Sequence, residues 1–143
     1  MRLVLFALLV SCAACGSYSA ADLEVAPAQT GCASDDPRVG LLAQLQGYAH
    51  GVGGRAVIVD DCTLELRDFA FDGGGLDVRA IGAVDGDFAT GTVLTEDLRR
   101  SGGYVDETLR VPFPEGVSLD DVLQLSIWCV PAAANLADVD LDG

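Results

Sequence analysis

From residue 41 to its end, the chain is a series of short apolar runs separated by turns rich in glycine and aspartate. Five runs stand out: RAVIVDD (55–61), TLELRDFAF (63–71), GLDVRAIGA (75–83), YVDETLRVPF (104–113) and VLQLSIWCV (122–130). Their β-branched residues, alternation and spacing are typical of strands in a sandwich or barrel. The 17 glycines favour frequent turns over long helices. We therefore predict an all-β chain with a single antiparallel β-sandwich, or flattened barrel, over residues 41–143.

Alternation within the runs predicts which side chains share a face of a strand. In the last run, one face carries the apolar residues Leu123, Leu125, Ile127 and Cys129, while Trp128 lies on the other. In the run at 75–83, the residues predicted to share a face are Leu76, Val78 and Ala80.

Two segments depart from simple alternation. The parity of the apolar residues changes within 63–71, which predicts a β-bulge or a bend near Arg67–Asp68. The leucine spacing of GLLAQLQ (40–46) would suit one helical turn as well as a strand, and we predict a strand because Gly47 and Tyr48 follow.

The N-terminus resembles a bacterial lipoprotein signal. Arg2 precedes the apolar run LVLFALLV (3–10), which is followed by SCAACGS. This order is typical of a signal peptide, and the apolar run is shorter than the roughly 20 residues that span a bilayer. We expect a signal peptide at residues 1–14 and acylation of Cys15; acylation of Cys12 and secretion without a lipid are the alternatives.

Residues 15–40 are small, polar and acidic, with Pro27 and Pro37 and no sustained periodicity. We expect a flexible linker that begins at the acylated cysteine and carries the domain away from a membrane. The protein is then expected in the cell envelope outside the cytoplasm, periplasmic or at the cell surface, with the membrane as a partner through its lipid.

Charge excludes one class of partner. The chain has 22 acidic residues against 8 basic ones, all arginine, for a formal charge of −14. Nucleic-acid binding requires a positive surface, so no nucleic-acid partner is expected.

Two long segments resemble the DM-thirteen domain family, a proposed electron-transfer domain of Skeletor-like animal proteins and bacterial lipoproteins. The first is LQGYAHGVGGRAVIVDDCTLELRDFAFDGGGLDVRAIG (45–82), and the second, at 95–141, includes LSIWC and the later AAAN. Their most specific pieces are residues 50–54, 71–77 and 128–129. The resemblance implies an extracytoplasmic β-domain with a functional cysteine, here Cys129, acting as a redox thiol or as a ligand to a prosthetic group such as haem.

Three cysteines follow the predicted anchor: Cys32, Cys62 and Cys129. In an oxidising compartment, a Cys62–Cys129 disulfide is the first expectation. The alternatives are pairing of Cys32 with one of the other two, and a free Cys129 that performs redox chemistry. A reactive Cys129 would need a cation or donor nearby, for which Arg67, Arg79 and His50 are candidates.

His50 is the single histidine, and its glycine-rich surroundings suit a turn residue that bonds the backbone. A His and a Cys thiolate can also hold a haem iron, so His50 and Cys129 are candidate haem ligands, although the cofactor is unknown. With one histidine and no cysteine pair at metal spacing, we predict no metal site. The ending DVDLDG (138–143) starts like a calcium loop but lacks its final Glu.

The function predicted from these features is electron transfer or thiol redox outside the cytoplasm through Cys129, with an unknown redox or protein partner. No paired-carboxylate or Ser-His-Asp arrangement can be argued from spacing, so the chain is expected to be an electron carrier or binding module rather than an enzyme. The alternative is a non-catalytic, disulfide-stapled binding or structural module of the envelope. A third possibility is a calcium-dependent adhesion module.

Overall fold

The computed structural model describes residues 23–143 of the chain. Nine strands follow one another within these residues: β1 Leu42–Gln44, β2 Gln46–Gly47, β3 Gly53–Asp60, β4 Thr63–Phe71, β5 Val78–Ala83, β6 Thr92–Val93, β7 Tyr104–Pro112, β8 Gln124–Cys129 and β9 Ala134–Asp140. One 3-10 turn, Leu119–Asp121, lies between β7 and β8. The predicted all-β class is confirmed.

The strands form two antiparallel sheets. The four-stranded sheet has the order β1-β3-β4-β7, and the five-stranded sheet has the order β2-β9-β8-β5-β6. One apolar core lies between them, with Phe69 and Leu66 from the first sheet and Ile127 and Leu125 from the second. All four of these side chains are fully buried. The architecture is the predicted β-sandwich, with the inner faces of both sheets meeting in this core.

A second, smaller apolar cluster covers the outer face of the five-stranded sheet. Ile81, Ala83 and Phe88 are buried there, and Trp128 packs against them. The rings of Phe88 and Trp128 lie 5.9 Å apart. Cys129 belongs instead to the main core. The predicted opposite facing of Trp128 and Cys129 is therefore confirmed, and Trp128 packs as an apolar residue.

The register confirms the predicted bulge in β4. The pairing of β4 with β7 shifts between Leu66 and Phe69, and Asp68 has a φ of 51°. An extra residue at this position lets Phe69 and Leu66 both face the core despite their spacing of three. The predicted strand at 40–46 is also observed, as β1 and the start of β2.

One predicted facing is wrong. Leu76 was expected beside Val78 and Ala80, but it is 65% exposed, while the other two are fully buried. Asp77 has a φ of 74°, which ends the turn abruptly, and β5 begins only at Val78. Leu76 therefore lies in the loop before the strand, where strand alternation does not apply.

The predicted Cys62–Cys129 disulfide is wrong. Cys62 lies in the turn between β3 and β4 and is bonded to Cys32, with 5.7 Å between the two Cα atoms. Cys129 is free and buried at the end of β8. It lies beside the loop that follows β4, and the nine residues of β4 separate that end from Cys62 by about 30 Å. No disulfide reaches across such a distance.

Loss of the Cys32–Cys62 bond should lower the free energy of unfolding by about 3–4 kcal/mol, because the bond closes a loop of 30 residues in the unfolded chain. The measurement is urea unfolding of the Cys32→Ser/Cys62→Ser variant against the wild type. A decrease below about 1 kcal/mol would contradict the entropic estimate.

The segment predicted as a linker lies against the sandwich from Leu23 onwards. The carbonyl of Leu23 accepts a hydrogen bond from Arg79, Ala28 forms a bridge with Pro114, and Cys32 is held by its disulfide. Within residues 23–143 there is no helix whose length and apolarity would let it cross a membrane. The predicted signal peptide and the candidate acylation sites Cys12 and Cys15 lie outside the described residues.

Candidate functional site

The loop that joins β4 to β5 contains three consecutive glycines, and residues 72–77 are called the glycine loop below. Gly73 and Gly75 have φ values of +79° and +97°, which L side chains rarely adopt. A Cβ at Gly73 would collide with the carbonyl oxygen of Arg100. The loop therefore requires glycine both for its backbone conformation and for its close approach to the segment before β7.

Cys129 lies directly beneath the glycine loop. It pairs in register with Val78, the first residue of β5, and is 6% exposed. A Cβ built on Gly75 would lie 2.8 Å from Cγ2 of Val78 and 4.0 Å from Sγ of Cys129. Gly75 therefore lies over the sulfur without a side chain, so the backbone of this loop forms part of the cover of Cys129.

His50 holds the outer side of the same loop. Its Nδ1 lies 2.9 Å from a carboxylate oxygen of Asp72, and its carbonyl accepts a hydrogen bond from the Asp72 amide at 3.0 Å. Its ring also packs edge-on against Phe71 at 6.3 Å. If Nδ1 carries the proton donated to Asp72, Nε2 is left as the acceptor of the ring.

Asp72 connects His50 to the glycine loop. Its Oδ1 accepts a hydrogen bond from the amide of Gly74 at 2.8 Å, the turn-capping role expected of an aspartate before glycines. This backbone hydrogen bond, with the His50 contact as a further cause, holds the pKa of Asp72 below its ordinary value. The ionised carboxylate therefore fixes the loop to the turn that carries His50.

A shallow cleft of about 470 Å³ opens beside the glycine loop, between it and residues 97–102. Arg99 pairs with Asp97, while Arg100 pairs with Glu107 and lies 3.7 Å over the ring of Tyr104. These arginines are held by acidic neighbours, so the cleft is a polar approach to the loop rather than an open cationic site.

The cations proposed as partners for Cys129 lie elsewhere. Arg67 is on the four-stranded sheet and pairs with Glu65. Arg79 follows Val78 in β5, so it points away from the core and forms a buried pair with Asp77 at 2.7 Å. Two of the three predicted partners therefore contact the loop that covers Cys129, His50 through Asp72 and Arg79 through Asp77, and the Arg79 pair lies on the side away from the core.

A haem ligated by both His50 and Cys129 does not fit this arrangement. A porphyrin between two axial ligands needs an open face at each ligand atom. The sulfur of Cys129 is buried in the core under Gly75, whereas His50 contacts Gly74 and directs Nδ1 at Asp72. The folded loop would have to be displaced before a haem could reach the sulfur.

The role of Asp72 as the partner of His50 was missed from the sequence, because 22 residues separate them. The sequence did contain a signal: His50 precedes β3 and Asp72 follows β4, each beside glycines. The two residues therefore flank the β3–β4 hairpin and meet at its open end.

Acid should loosen the glycine loop. Because the pKa of Asp72 is lowered in the folded chain, its contribution to stability is present above its unfolded pKa of about 3.9 and is lost as pH falls through the folded value. We expect Asp72→Asn to flatten the dependence of the urea midpoint on pH below about 4. Asp142→Asn, at the exposed chain end, is the matched control; an Asp72→Asn profile that overlays the wild type would contradict this role.

Comparison with known proteins places the chain in a family. The model of the family described as Electron transfer DM13 matches residues 44–141. Protein Skeletor of Drosophila melanogaster is 30% identical over 115 residues, in isoforms B/C and in isoforms D/E. The match covers 73% of this chain but only 14% and 7% of those isoforms. No solved structure gives a significant match. With its family model spanning nearly all of the sandwich, the chain belongs to the DM13 family of electron-transfer domains.

Proposed function

We propose that this domain transfers electrons by thiol chemistry at Cys129, outside the cytoplasm and on a lipid anchor at Cys15. The observation that carries the proposal is the placement of Cys129. Among residues 23–143 it is the cysteine without a disulfide, and it lies under the glycine loop, where Gly75 approaches its sulfur without a side chain. Membership of an electron-transfer family supports the same assignment.

The proposed reaction moves two electrons from a dithiol donor to a disulfide acceptor. The Cys129 thiolate attacks one acceptor sulfur, so a mixed disulfide forms, the acceptor S–S bond breaks and the released sulfur takes up a proton. A donor thiolate then attacks the Cys129 sulfur and releases the second acceptor thiol. The other donor thiol closes the donor disulfide and returns the electron pair to Cys129.

The glycine loop would control access to this sulfur. A buried thiol reacts only when local opening exposes it, and each contact that holds the loop closed lowers the open population. His50 and Asp72 supply such contacts on the outer side of the loop. In this proposal His50 is a positioning residue that keeps the loop closed.

The test is alkylation of the folded, full-length protein, followed by a peptide map that reads each cysteine separately. We expect slow modification of Cys129 in the native protein and faster modification in His50→Gln. Loss of a hydrogen bond worth about 1 kcal/mol should raise the open population about fivefold. Tyr48→Phe removes an exposed hydrogen bond to Asp138, away from the loop, and is the control.

Modification of Cys129 only after denaturation would reject thiol chemistry at this residue. Equal rates in His50→Gln and wild type would reject the gating role of His50. A Soret band that shifts with dithionite in protein extracted from membranes would show a haem carrier and contradict a thiol mechanism.

The anchor is tested separately by feeding cells a labelled fatty acid. We expect label in the wild type and in Cys12→Ser, and none in Cys15→Ser. Loss of label in Cys12→Ser alone would indicate that Cys12 is the acylated residue. An unlabelled wild type would indicate secretion without a lipid.

A second candidate function is a non-catalytic, disulfide-stapled module of the envelope. The Cys32–Cys62 bond favours it, since this bond fastens the segment before β1 to the β3–β4 turn. The alkylation experiment separates the two functions, because a purely structural domain needs no loop that opens over Cys129.

A further inference from the structure

At the end of the sandwich opposite the glycine loop, four potential metal ligands converge. They are the sulfurs of Cys32 and Cys62 and one carboxylate oxygen each of Asp60 and Asp61, and all four atoms lie within 4.8 Å of one another. Cys62 is buried, and the other three residues are partly buried. The two sulfurs are bonded to each other in the folded chain.

The surrounding hydrogen bonds hold both carboxylates in place. Oδ1 of Asp60 accepts a hydrogen bond from the amide of Cys62 at 3.1 Å, and Oδ1 of Asp61 accepts one from the amide of Ala33 at 2.8 Å. The amide of Asp61 in turn donates to the carbonyl of Ala33 at 2.8 Å. In metal sites, hydrogen bonds from surrounding groups orient the ligand residues, and these contacts would orient the two carboxylates in the same way.

The donor set matches a particular class of metal. Two thiolates and two carboxylates are ligands that Zn²⁺ accepts in a tetrahedral arrangement, with about 2.3 Å to sulfur and about 2.0 Å to oxygen. Such bonds place neighbouring ligand atoms roughly 3.3–3.8 Å apart. The distances that involve a carboxylate oxygen therefore need to change by about 1 Å or less. The two sulfurs, which are bonded to each other, must move apart.

Oxidation state decides whether the set can bind. Thiolates are the metal-binding form of cysteine, so the disulfide offers no such ligands. A dithiol reductant converts the Cys32–Cys62 bond into two thiols and is itself oxidised to a disulfide. A divalent ion then displaces the two thiol protons and forms two metal–sulfur bonds. The two thiolates and two carboxylates carry −4 together, and the ion reduces the net charge of the loaded site to −2, the same as that of the empty dithiol form.

Access to the cluster is open. A cleft of about 260 Å³ is lined by Cys32, Cys62 and Asp61. Arg38 also lines it, but its guanidinium pairs with Asp36 and Asp120. A hydrated metal ion can therefore approach the sulfurs from solvent.

We propose that Cys32, Cys62, Asp60 and Asp61 form a redox-gated site for a thiophilic divalent cation such as Zn²⁺, closed by the disulfide and opened by its reduction. This site is distinct from Cys129, from which the length of β4 separates it, and it does not depend on the function proposed there. Spacing could not reveal it, because 30 residues separate the two cysteines and no Cys-x-x-Cys motif marks them.

The test uses Co²⁺ as a spectroscopic probe in full-length protein carrying Cys12→Ser and Cys15→Ser. After reduction by a water-soluble phosphine, which becomes the phosphine oxide, we expect one equivalent of Co²⁺ to give thiolate charge-transfer and tetrahedral d–d bands. Addition of Zn²⁺ should displace the Co²⁺ and abolish both sets of bands. The oxidised protein should show neither.

Matched variants separate the site from adventitious binding. Cys129→Ser should bind like the parent, since that sulfur lies elsewhere. Asp60→Asn/Asp61→Asn keeps both cysteines and should bind at least about tenfold more weakly, as loss of even an outer-shell group costs about 10–100-fold. Cys32→Ser/Cys62→Ser should show no charge-transfer band.

Three outcomes would overturn the proposal. The first is a reduced protein that binds no Co²⁺, and the second is equal affinity in the double asparagine variant. The third is a Co²⁺ spectrum that persists in the double serine variant. Near-ultraviolet circular dichroism follows folding in parallel; metal-dependent recovery of the native signal in the parent alone would support the site.

Discussion

Replacing Arg79 with methionine should lower the free energy of unfolding by about 3–5 kcal/mol, because it leaves a buried carboxylate without its guanidinium partner. Arg79 and Asp77 are among the most buried charged residues of the described chain, with side-chain exposures of 4% and 2%. Their atoms meet at 2.7 Å. Few other single substitutions outside the apolar core should cost as much.

The Arg79 guanidinium also organises the chain around it. Nη1 donates to the carbonyl of Leu23 at 2.9 Å, and the carbonyl of Asp77 accepts from the amide of Val130 at 2.9 Å. The pair therefore links the segment before β1, the start of β5 and the end of β8. Methionine has a volume similar to that of arginine. The expected decrease in the free energy of unfolding therefore reflects removal of the charge rather than creation of a cavity.

The double variant Asp77→Asn/Arg79→Met tests this explanation. If loss of the Arg79 guanidinium beside the buried carboxylate causes the decrease, removing the carboxylate charge as well should recover most of the stability, as buried pairs replaced together are often close to neutral. Arg99→Met, which breaks a partly exposed pair with Asp97, should cost no more than about 1 kcal/mol. Urea unfolding measures all three; a double variant as unstable as Arg79→Met would contradict the charge explanation.

The second large effect is expected at Phe69. Phe69→Ala should destabilise the domain by about 3–5 kcal/mol, because it removes a fully buried ring from the centre of the core. The ring contacts Tyr104 edge-on with centroids 5.2 Å apart and lies 6.5 Å from Phe71.

Thermal or urea unfolding of Phe69→Ala measures the loss. Val105→Ala is the control: Val105 is 73% exposed on β7, and its truncation should change stability by no more than about 0.5 kcal/mol. A Phe69→Ala variant within about 1 kcal/mol of the wild type would show that the core collapses around the missing ring.

Strand alternation predicted the sandwich because each sheet has one face in the core. The inward facing of Cys129, the outward facing of Trp128 and the bulge near Asp68 were all predicted from parity alone. Leu76 was misplaced because a positive φ at Asp77 delays the start of β5 from residue 75 to Val78, and local hydrophobicity does not report backbone conformation.

Cysteine pairing could not be predicted from spacing. Which thiols meet depends on the end of β4 at which each lies, and that follows from sheet order rather than from any local pattern. The contact of His50 with Asp72 and the convergence of Asp60 and Asp61 on the sulfurs depend on the same long-range geometry.

The hydrogen bond between Leu23 and Arg79 limits how far the domain can lie from a membrane to which the chain is anchored. If Cys15 carries the lipid, only eight residues lead from the membrane surface to the point where the chain is fastened. A fully extended chain of that length covers about 26–29 Å. Arg79 is one residue along β5 from Val78, the register partner of Cys129, so this end of the sandwich would be held close to the bilayer. A redox partner that reaches Cys129 would then be embedded in the membrane or lie against its surface.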